Sequence, residues 1–249
     1  MDTSVVTSLS IILPAYNEAE NLEQAVRLAE EAARELVEQF EIIVVDDGST
    51  DGTSGVLNEL KTKHPSLRVV THSPNRGYGV ALASGFGAAR MEWVLYTDSD
   101  NQFDLRQLSR LMELAGEYDF VIGYRENRCE GARRRFFSWG FRVFLRMFFG
   151  LRWRDPDCAF KLYRASKLKQ IDLRSTRFFI DAEFLAKAAA GGYRVAEVGV
   201  THLPRTKGNT TTGLHHVPIT LKEAWRVWRE LRSSRRGAVS YTHLRAHET

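Results

Sequence analysis

Short apolar runs rich in β-branched residues alternate with longer amphipathic stretches through the first half of the chain. Ser10–Leu13 and Glu41–Val45 are two such runs, closed by Pro14 and by Asp46-Asp47-Gly48, and each predicts a buried strand. Between them, Ala19–Gln39 places Leu22, Val26, Ala29, Ala33 and Leu36 at helical spacing. Thr53–His64 predicts a second helix, Arg68–Thr71 a third strand and Val80–Met91 a third helix. Trp93–Tyr96 and Phe120–Ile122 complete the strands, with a helix near Leu105–Ala115 between them. This alternation predicts an α/β fold, Rossmann-like, with a mainly parallel sheet flanked by helices. Ligands of such sheets sit outside the carboxyl ends of the strands. The loops carrying Asn17, Asp46, Asp47, Asp98 and Asp100 all follow strands, so they are expected to meet on that edge.

After Gly123 the pattern changes to arginine-rich, aromatic sequence with less obvious strand alternation. We take 8–123 as one half and 124–213 as the second half of a single domain over 8–213. Thr206–Gly213 is a small-residue loop, and Thr220–Arg232 predicts a helix with Leu221, Trp225, Trp228 and Leu231 on one side. An amphipathic basic helix is thus expected within 214–236. The segment 237–249 lacks periodicity and is expected to be a non-native tail, such as a translated adaptor.

Composition narrows the classes. The chain has 249 residues, 43% of them hydrophobic and 27% charged, enough for one core. Its two cysteines, Cys129 and Cys158, exclude a disulfide scaffold and lack zinc-site spacing, which suits a reducing cytoplasm. No secretory leader is expected at Met1–Ser8, and no run reaches the roughly 18 apolar residues of a membrane-spanning helix. The net charge of +4 is unevenly distributed: Arg125–Arg154 carries nine arginines against two glutamates, and Lys222–Arg236 six basic residues against two acidic ones. Those two segments are expected to face an anionic partner. No RNP-like, zinc-finger or helix-turn-helix signature accompanies them, so no nucleic-acid partner is expected.

The chemistry concentrates in Tyr96–Phe103, YTDSDNQF. Alternate side chains leaving a strand point the same way, so Asp98 and Asp100 converge and Gln102 can extend the row. Hard oxygen ligands of this kind suit Mg²⁺ or Mn²⁺, which takes one or two carboxylates and the phosphate oxygens of a substrate. A capped turn leading to a helix near Asp104 is the plainer alternative.

Taken together, Pro14-Ala15-Tyr16-Asn17-Glu18, Val45–Thr53 (VDDGSTDGT) and Asp98-Ser99-Asp100 resemble the signature of glycosyltransferase family 2. Gly123-Tyr124-Arg125, the Arg133–Arg135 cluster, Asp155–Tyr163 (DPDCAFKLY) and Arg205 with Gly208 resemble its polyprenyl-phosphate sugar synthases, those like dolichyl-phosphate mannose synthase. The resemblance covers about Ser8–Gly213. It implies a GT-A fold and an inverting transfer of a hexose from a nucleotide-sugar, of GDP-mannose or UDP-glucose type, to a polyprenyl phosphate. It implies a base-binding loop at Pro14, Ala15, Tyr16 and Glu18, with Asp47, and less strongly Asp46, on the nucleoside. The alternative for Asn17 is a helix cap. Asn75–Gly79, including Arg76 and Gly77, precedes a helix whose free N–H groups can receive phosphate oxygens; a plain turn is equally compatible. Asp98, Asp100 and Gln102 are the implied metal ligands, and Arg125, Arg134 or Arg135, and Arg205 the implied contacts of the acceptor phosphate.

A phosphate monoester with a second pKa near about 6 is mostly a dianion at neutral pH and needs no general base. A sugar hydroxyl would need one, and Asp155, Asp157 and Asp181 are the candidates. This keeps open a family 2 enzyme acting on a sugar hydroxyl in polysaccharide or glycolipid synthesis. In the family the element at Cys158-Ala159-Phe160-Lys161 reads Ser-Gly-Phe-Arg, which leaves its acceptor role open. On a helical wheel Arg135, Arg142 and Arg146 form a stripe beside Phe137, Phe141, Phe144 and Phe148. That pattern predicts an interfacial helix on an anionic membrane surface, at the inner face of the cell membrane; a core helix with a solvated arginine edge is the alternative. Trp225 and Trp228 repeat the pattern.

Overall fold

The computed structural model describes residues 6–126, 132–205, 207 and 217–245, with side chains described outside 132–136 and 234–245. The expectations placed on Cys129, on the side chains of Arg133, Arg134 and Arg135, and on Gly208 with most of the loop to Gly213 lie outside the described residues.

The chain runs β1 (Ser8–Ala15), α1 (Ala19–Leu36), β2 (Gln39–Asp46), α2 (Thr53–Lys63), β3 (Leu67–Thr71), α3 (Tyr78–Ala88) and β4 (Trp93–Thr97). A 3₁₀ turn (Leu105–Gln107) leads into α4 (Leu108–Met112), then β5 (Phe120–Arg125), α5 (Ala132–Phe149) and β6 (Phe160–Arg164). The short α6 (Ala165–Leu168), α7 (Ile180–Ala190), β7 (Val195–Val200) and α8 (Val217–Arg245) follow. One seven-stranded sheet has the order β3-β2-β1-β4-β6-β5-β7, so both expected halves contribute strands to it. β1 pairs in parallel with β2 and β4, and β2 with β3. β6 runs antiparallel to both β4 and β5, while β7 returns parallel to β5.

The strands at the centre are buried on both faces, which is why they appear as unbroken apolar runs: Ile11, Ile12, Ile42, Ile43, Val94 and Leu95 are fully buried. Each such side chain contributes about 1.5–3 kcal/mol relative to an exposed one. The parallel first half follows the apolar pattern, with strands longer than expected by one to four residues at their ends. β6, β7 and α7 were not foreseen. β6 hides because Lys161 and Arg164 interrupt its apolar pattern, yet Lys161 is fully buried.

The antiparallel entry of β6 has a consequence for function. Thr97 at the end of β4 lies opposite Phe160 at the start of β6. The Asp155–Ala159 segment therefore reaches the same sheet edge as the loops after β1, β2 and β4. No described helix is long and apolar enough to cross a membrane. The backbone of α8 continues to Arg245, so most of 237–249 is helical.

Candidate active site

Two loops form one wall. Asn17 adopts a left-handed backbone (φ 57°), and its N–H donates to Ser49 Oγ at 2.9 Å while its Oδ1 accepts the Thr50 N–H at 2.8 Å. The Glu18 N–H donates to Thr53 Oγ1 at 3.0 Å. Asn17 thus cross-links the β1–α1 and β2–α2 loops, and the N-cap position of α1 belongs to Glu18, without a side-chain bond. Pro14 and Ala15 are buried, whereas the Tyr16 ring is left 37% exposed beside this link.

Asp46 and Asp47 are both buried and engaged within the protein. Asp46 accepts the Ser49 N–H at 3.0 Å and the Ser54 hydroxyl at 2.9 Å. The Asp47 carboxylate lies 2.7 Å from His72 Nδ1 and accepts the N–H groups of Arg76 (2.9 Å) and Gly77 (2.8 Å). Of the N–H groups in Asn75–Gly79 that were expected to receive phosphate oxygens, those of Arg76 and Gly77 are therefore engaged within the protein. Asp47 supplies the anion at that helix start, and the Gly79 N–H donates to Thr176 O at 3.0 Å. Gly79 itself is required: a Cβ there would lie 2.2 Å from Ser175 O. At Gly48, φ is +71° and a Cβ would sit 2.6 Å from Asn75 N, so only glycine lets the two loops close. The Tyr16 ring and the Arg76 side chain are exposed on this wall.

Opposite lies the carboxylate pair. Ser99, buried between Asp98 and Asp100, donates its hydroxyl to Pro14 O at 2.8 Å. That bond turns Ser99 inward and leaves both half-buried carboxylates facing the cleft. Asp98 accepts the Tyr78 hydroxyl at 3.0 Å, and Asp100 accepts the Gln102 N–H at 3.1 Å. Burial, then the Asp100 charge, holds the Asp98 carboxyl above the ordinary range, and burial raises Asp100 as well. Arg205 reaches in from beyond β7, with Nη2 2.5 Å from Glu18 Oε1 and Nη1 3.7 Å from Asp100 Oδ2. Two neighbouring carboxylates of this kind would suit a hard divalent cation, which would also take phosphate oxygens of a substrate. Among the described residues no group of three or more His, Cys, Asp or Glu side chains forms a metal cluster. The Gln102 Nε2 donates to Leu203 O at 3.0 Å, which ties the Arg205 segment to the pair.

The far wall holds Arg125 and Asp155. Arg125 Nε donates to Asp155 Oδ2 at 2.7 Å and its Nη2 to Oδ1 at 3.0 Å, with both side chains nearly buried. Asp155 thus orients Arg125, and a carboxylate so engaged is poorly placed to take a proton. Asp157 keeps an exposed edge in the cleft; its carboxyl is pushed up to about 7 by removal from bulk water and then by the charges of Asp181 and Asp155. Sequence reasoning missed Tyr78, Tyr96 and Lys161, which sit beneath the pair. The one available signal was a lysine inside a segment otherwise fit for a strand.

Outside the cleft, α5 divides. Leu145 is buried and Phe141, Phe144 and Phe149 pack against the core, whereas Phe137, Trp139, Met147 and Phe148 are at least half exposed. The expected broad apolar face is accordingly part core and part surface. On α8, Ala224 and Val227 are buried and Leu231 packs on the core, while Leu221 and Trp225 are exposed. The predicted stripe thus splits, with Leu231 turned inward. The guanidinium groups of Arg229 and Arg232 lie 4.5 and 4.2 Å from the Trp225 and Trp228 ring centroids.

The family model described as glycosyl transferase family 2 matches residues 10–172. The chain is 33% identical over 226 residues to glycosyltransferase AglD of Haloferax volcanii, covering 85% of this chain and 35% of that one. It therefore spans about a third of that relative's length. It is 32% identical over 212 residues to the undecaprenyl-phosphate mannosyltransferase of Micrococcus luteus, covering 80% of this chain and 85% of the relative. Among solved structures it is similar to the mannosyltransferase PcManGT from Pyrobaculum calidifontis in complex with GDP-Man and Mn²⁺. That likeness has a TM-score of 0.61 at 20% identity and covers 96% and 77% of the two chains. The seven-stranded, mostly parallel sheet with flanking helices is the GT-A arrangement.

Proposed function

The chain belongs to glycosyl transferase family 2, and on that premise we propose that it moves a hexose from a nucleotide-sugar to a polyprenyl phosphate at a membrane surface. The observation that carries this reading is the half-buried Asp98/Asp100 pair at the end of β4, with an arginine-bearing wall on either side. The names of the Micrococcus and Pyrobaculum proteins supply the substrate classes.

In this reading the Tyr16 ring and the Arg76 side chain hold the nucleoside and its phosphates. Asp98 and Asp100 hold a Mg²⁺ or Mn²⁺ ion, which offsets the charge that grows on the departing diphosphate. Arg205 already lies beside Asp100 and Glu18, where it adds positive charge on the same side. Arg125, oriented by Asp155, lies on the acceptor side and contributes its positive charge to the acceptor phosphate, with Arg134 and Arg135 as further contacts. Such an acceptor is a dianion at neutral pH and attacks without a general base, so the chain's task is to align it with the departing diphosphate. The exposed aromatic and aliphatic residues of α5 and the first turns of α8 meet an anionic bilayer, placing the enzyme at the inner face of the cell membrane.

One observation favours a second reading. Asp157 is exposed in the segment that reaches the same sheet edge, with a carboxyl pushed up to about 7, the range of a working general base, and a sugar hydroxyl acceptor would use it. The test is a melting-temperature panel of GDP-mannose, UDP-glucose and other nucleotide-sugars with and without Mn²⁺. It is followed by transfer of the labelled sugar from the best binder to undecaprenyl phosphate or to a glycolipid. Transfer to the lipid phosphate by an Asp157→Asn variant at the native rate supports the first reading. Transfer to a hydroxyl acceptor alone, lost in that variant, would replace it with the second.

A further inference from the structure

Beneath the carboxylate pair a line of polar side chains crosses the core. Tyr78 opens α3, Tyr96 lies in β4, Lys161 in β6 and Asp181 in α7. The Tyr78 hydroxyl donates to Asp98 Oδ1 at 3.0 Å and lies 2.6 Å from the Tyr96 hydroxyl. The Tyr96 hydroxyl lies 3.3 Å from Asp181 Oδ2. Lys161 Nζ donates to Asp181 Oδ1 and, at 2.9 Å, to Pro156 O. Tyr96 and Lys161 are fully buried, and Asp181 is 6% exposed.

Counting protons gives this line a direction. It contains three oxygen-to-oxygen contacts but only two phenolic hydrogens, because each tyrosine hydroxyl donates once. With both carboxyls ionised, as a bound cation would hold Asp98, the 2.6 Å contact between the two phenols must itself contain one hydrogen, since two bare oxygens would repel at that distance. Both hydrogens then point the same way, toward Asp98 or toward Asp181, and the carboxylate at the other end goes without. Asp181 is already served by the Lys161 ammonium, whereas among the described residues no lysine or arginine forms an ion pair with Asp98. We propose that the buried Lys161–Asp181 pair acts as a positioning device, directing the Tyr96 and Tyr78 hydroxyl hydrogens toward Asp98 and so fixing the orientation of a metal-binding carboxylate. Outer contacts of this kind orient ligating carboxylates, and losing one typically costs roughly 10- to 100-fold in metal affinity.

This inference rests on the metal role proposed for Asp98, so the test reads metal binding directly. Mn²⁺ alone is titrated into the full chain and the free ion is followed by electron paramagnetic resonance, with a melting curve for each variant. Tyr78→Phe should fold and weaken Mn²⁺ binding by roughly 10-fold or more. Lys161→Met should weaken it as well, because the uncovered Asp181 carboxylate draws both hydrogens to itself. The double variant Lys161→Met/Asp181→Asn removes that competitor and should recover affinity close to that of the native chain. A structural role for Lys161 would not give this recovery.

Asp98→Ala separates the two ideas. If it leaves Mn²⁺ binding unchanged, the metal reading itself fails. If it abolishes binding while Tyr78→Phe binds as the native chain does, the metal reading stands and the relay is wrong. A folded double variant as weak as Tyr78→Phe also overturns the relay, and this comparison holds even if Lys161→Met alone does not fold.

Discussion

Arg125 and Asp155 meet through two parallel contacts, Nε to Oδ2 at 2.7 Å and Nη2 to Oδ1 at 3.0 Å, with 11% and 3% of their side chains exposed. The Arg125 N–H also donates to Asp155 at 3.2 Å. The two residues were expected to serve separate purposes, one on a phosphate and one in catalysis. Joined in this way they form a single unit, in which the carboxylate fixes the plane of the guanidinium.

Breaking that unit from the acidic side leaves a nearly buried guanidinium without its carboxylate. Asp155→Ala should therefore destabilise the fold by about 3 kcal/mol or more, read as a lower urea midpoint at an unchanged slope. Arg125→Ala should lose stability similarly, whereas Arg125→Met/Asp155→Leu should recover most of it. A double variant no more stable than either single one would mean that the pair is held for reasons other than charge.

The carboxylate pair should be indispensable for chemistry and dispensable for folding. Asp100→Ala is expected to abolish sugar transfer and to remove the Mn²⁺-dependent part of nucleoside diphosphate binding. Its melting temperature in the absence of metal should equal or exceed that of the native chain, because a crowded carboxyl is gone. Turnover undiminished in this variant, or full native activity in EDTA, would remove the metal assignment.

Asp157 should shape the dependence of stability on pH. Although Asp157 keeps an exposed edge, its carboxyl is pushed up to about 7 by partial removal from bulk water and then by Asp181 and Asp155, partly offset by Lys161 and Arg125. A raised folded pKa means that the native state holds a proton which the unfolded chain releases, so stability falls as pH rises between the two values. Asp157→Asn should therefore melt increasingly above the native chain as pH climbs from about 4 to about 7, and the two should converge at the acid end. A difference in melting temperature that stays constant across that window would show that Asp157 does not titrate there.

Membrane association should follow the exposed half of α5. Met147 is 75% and Phe148 51% exposed, whereas Phe144 packs against Phe148 and the core. Met147→Ser with Trp225→Ser should release the protein from anionic liposomes without lowering its melting temperature. Native binding should weaken but persist at high salt, because each surface arginine contributes about 1 kcal/mol that salt screens. Co-sedimentation unaffected by the paired substitution would place the contact elsewhere.

Much of this architecture was legible along the chain. The parallel first half announced itself because strands covered on both faces must be apolar throughout and the intervening helices on one face only, two patterns with different periods. The same logic put Asp98 and Asp100 side by side, since alternation at a strand end is local geometry. Family 2 membership was likewise written in the order and spacing of PAYNE, DDGSTDGT and DSD. Partners far apart in sequence were not legible. Asp47 was expected on a nucleoside, and nothing in the sequence announced that its carboxylate also accepts N–H groups about thirty residues away. Lys161 concealed a strand, because a buried ammonium is tolerated only beside a carboxylate such as Asp181, and that pairing exists only once β6 lies against α7. Local periodicity is a property of consecutive residues and survives in the sequence. Which charges neutralise one another is a property of distance in space, and only the folded sheet decides it.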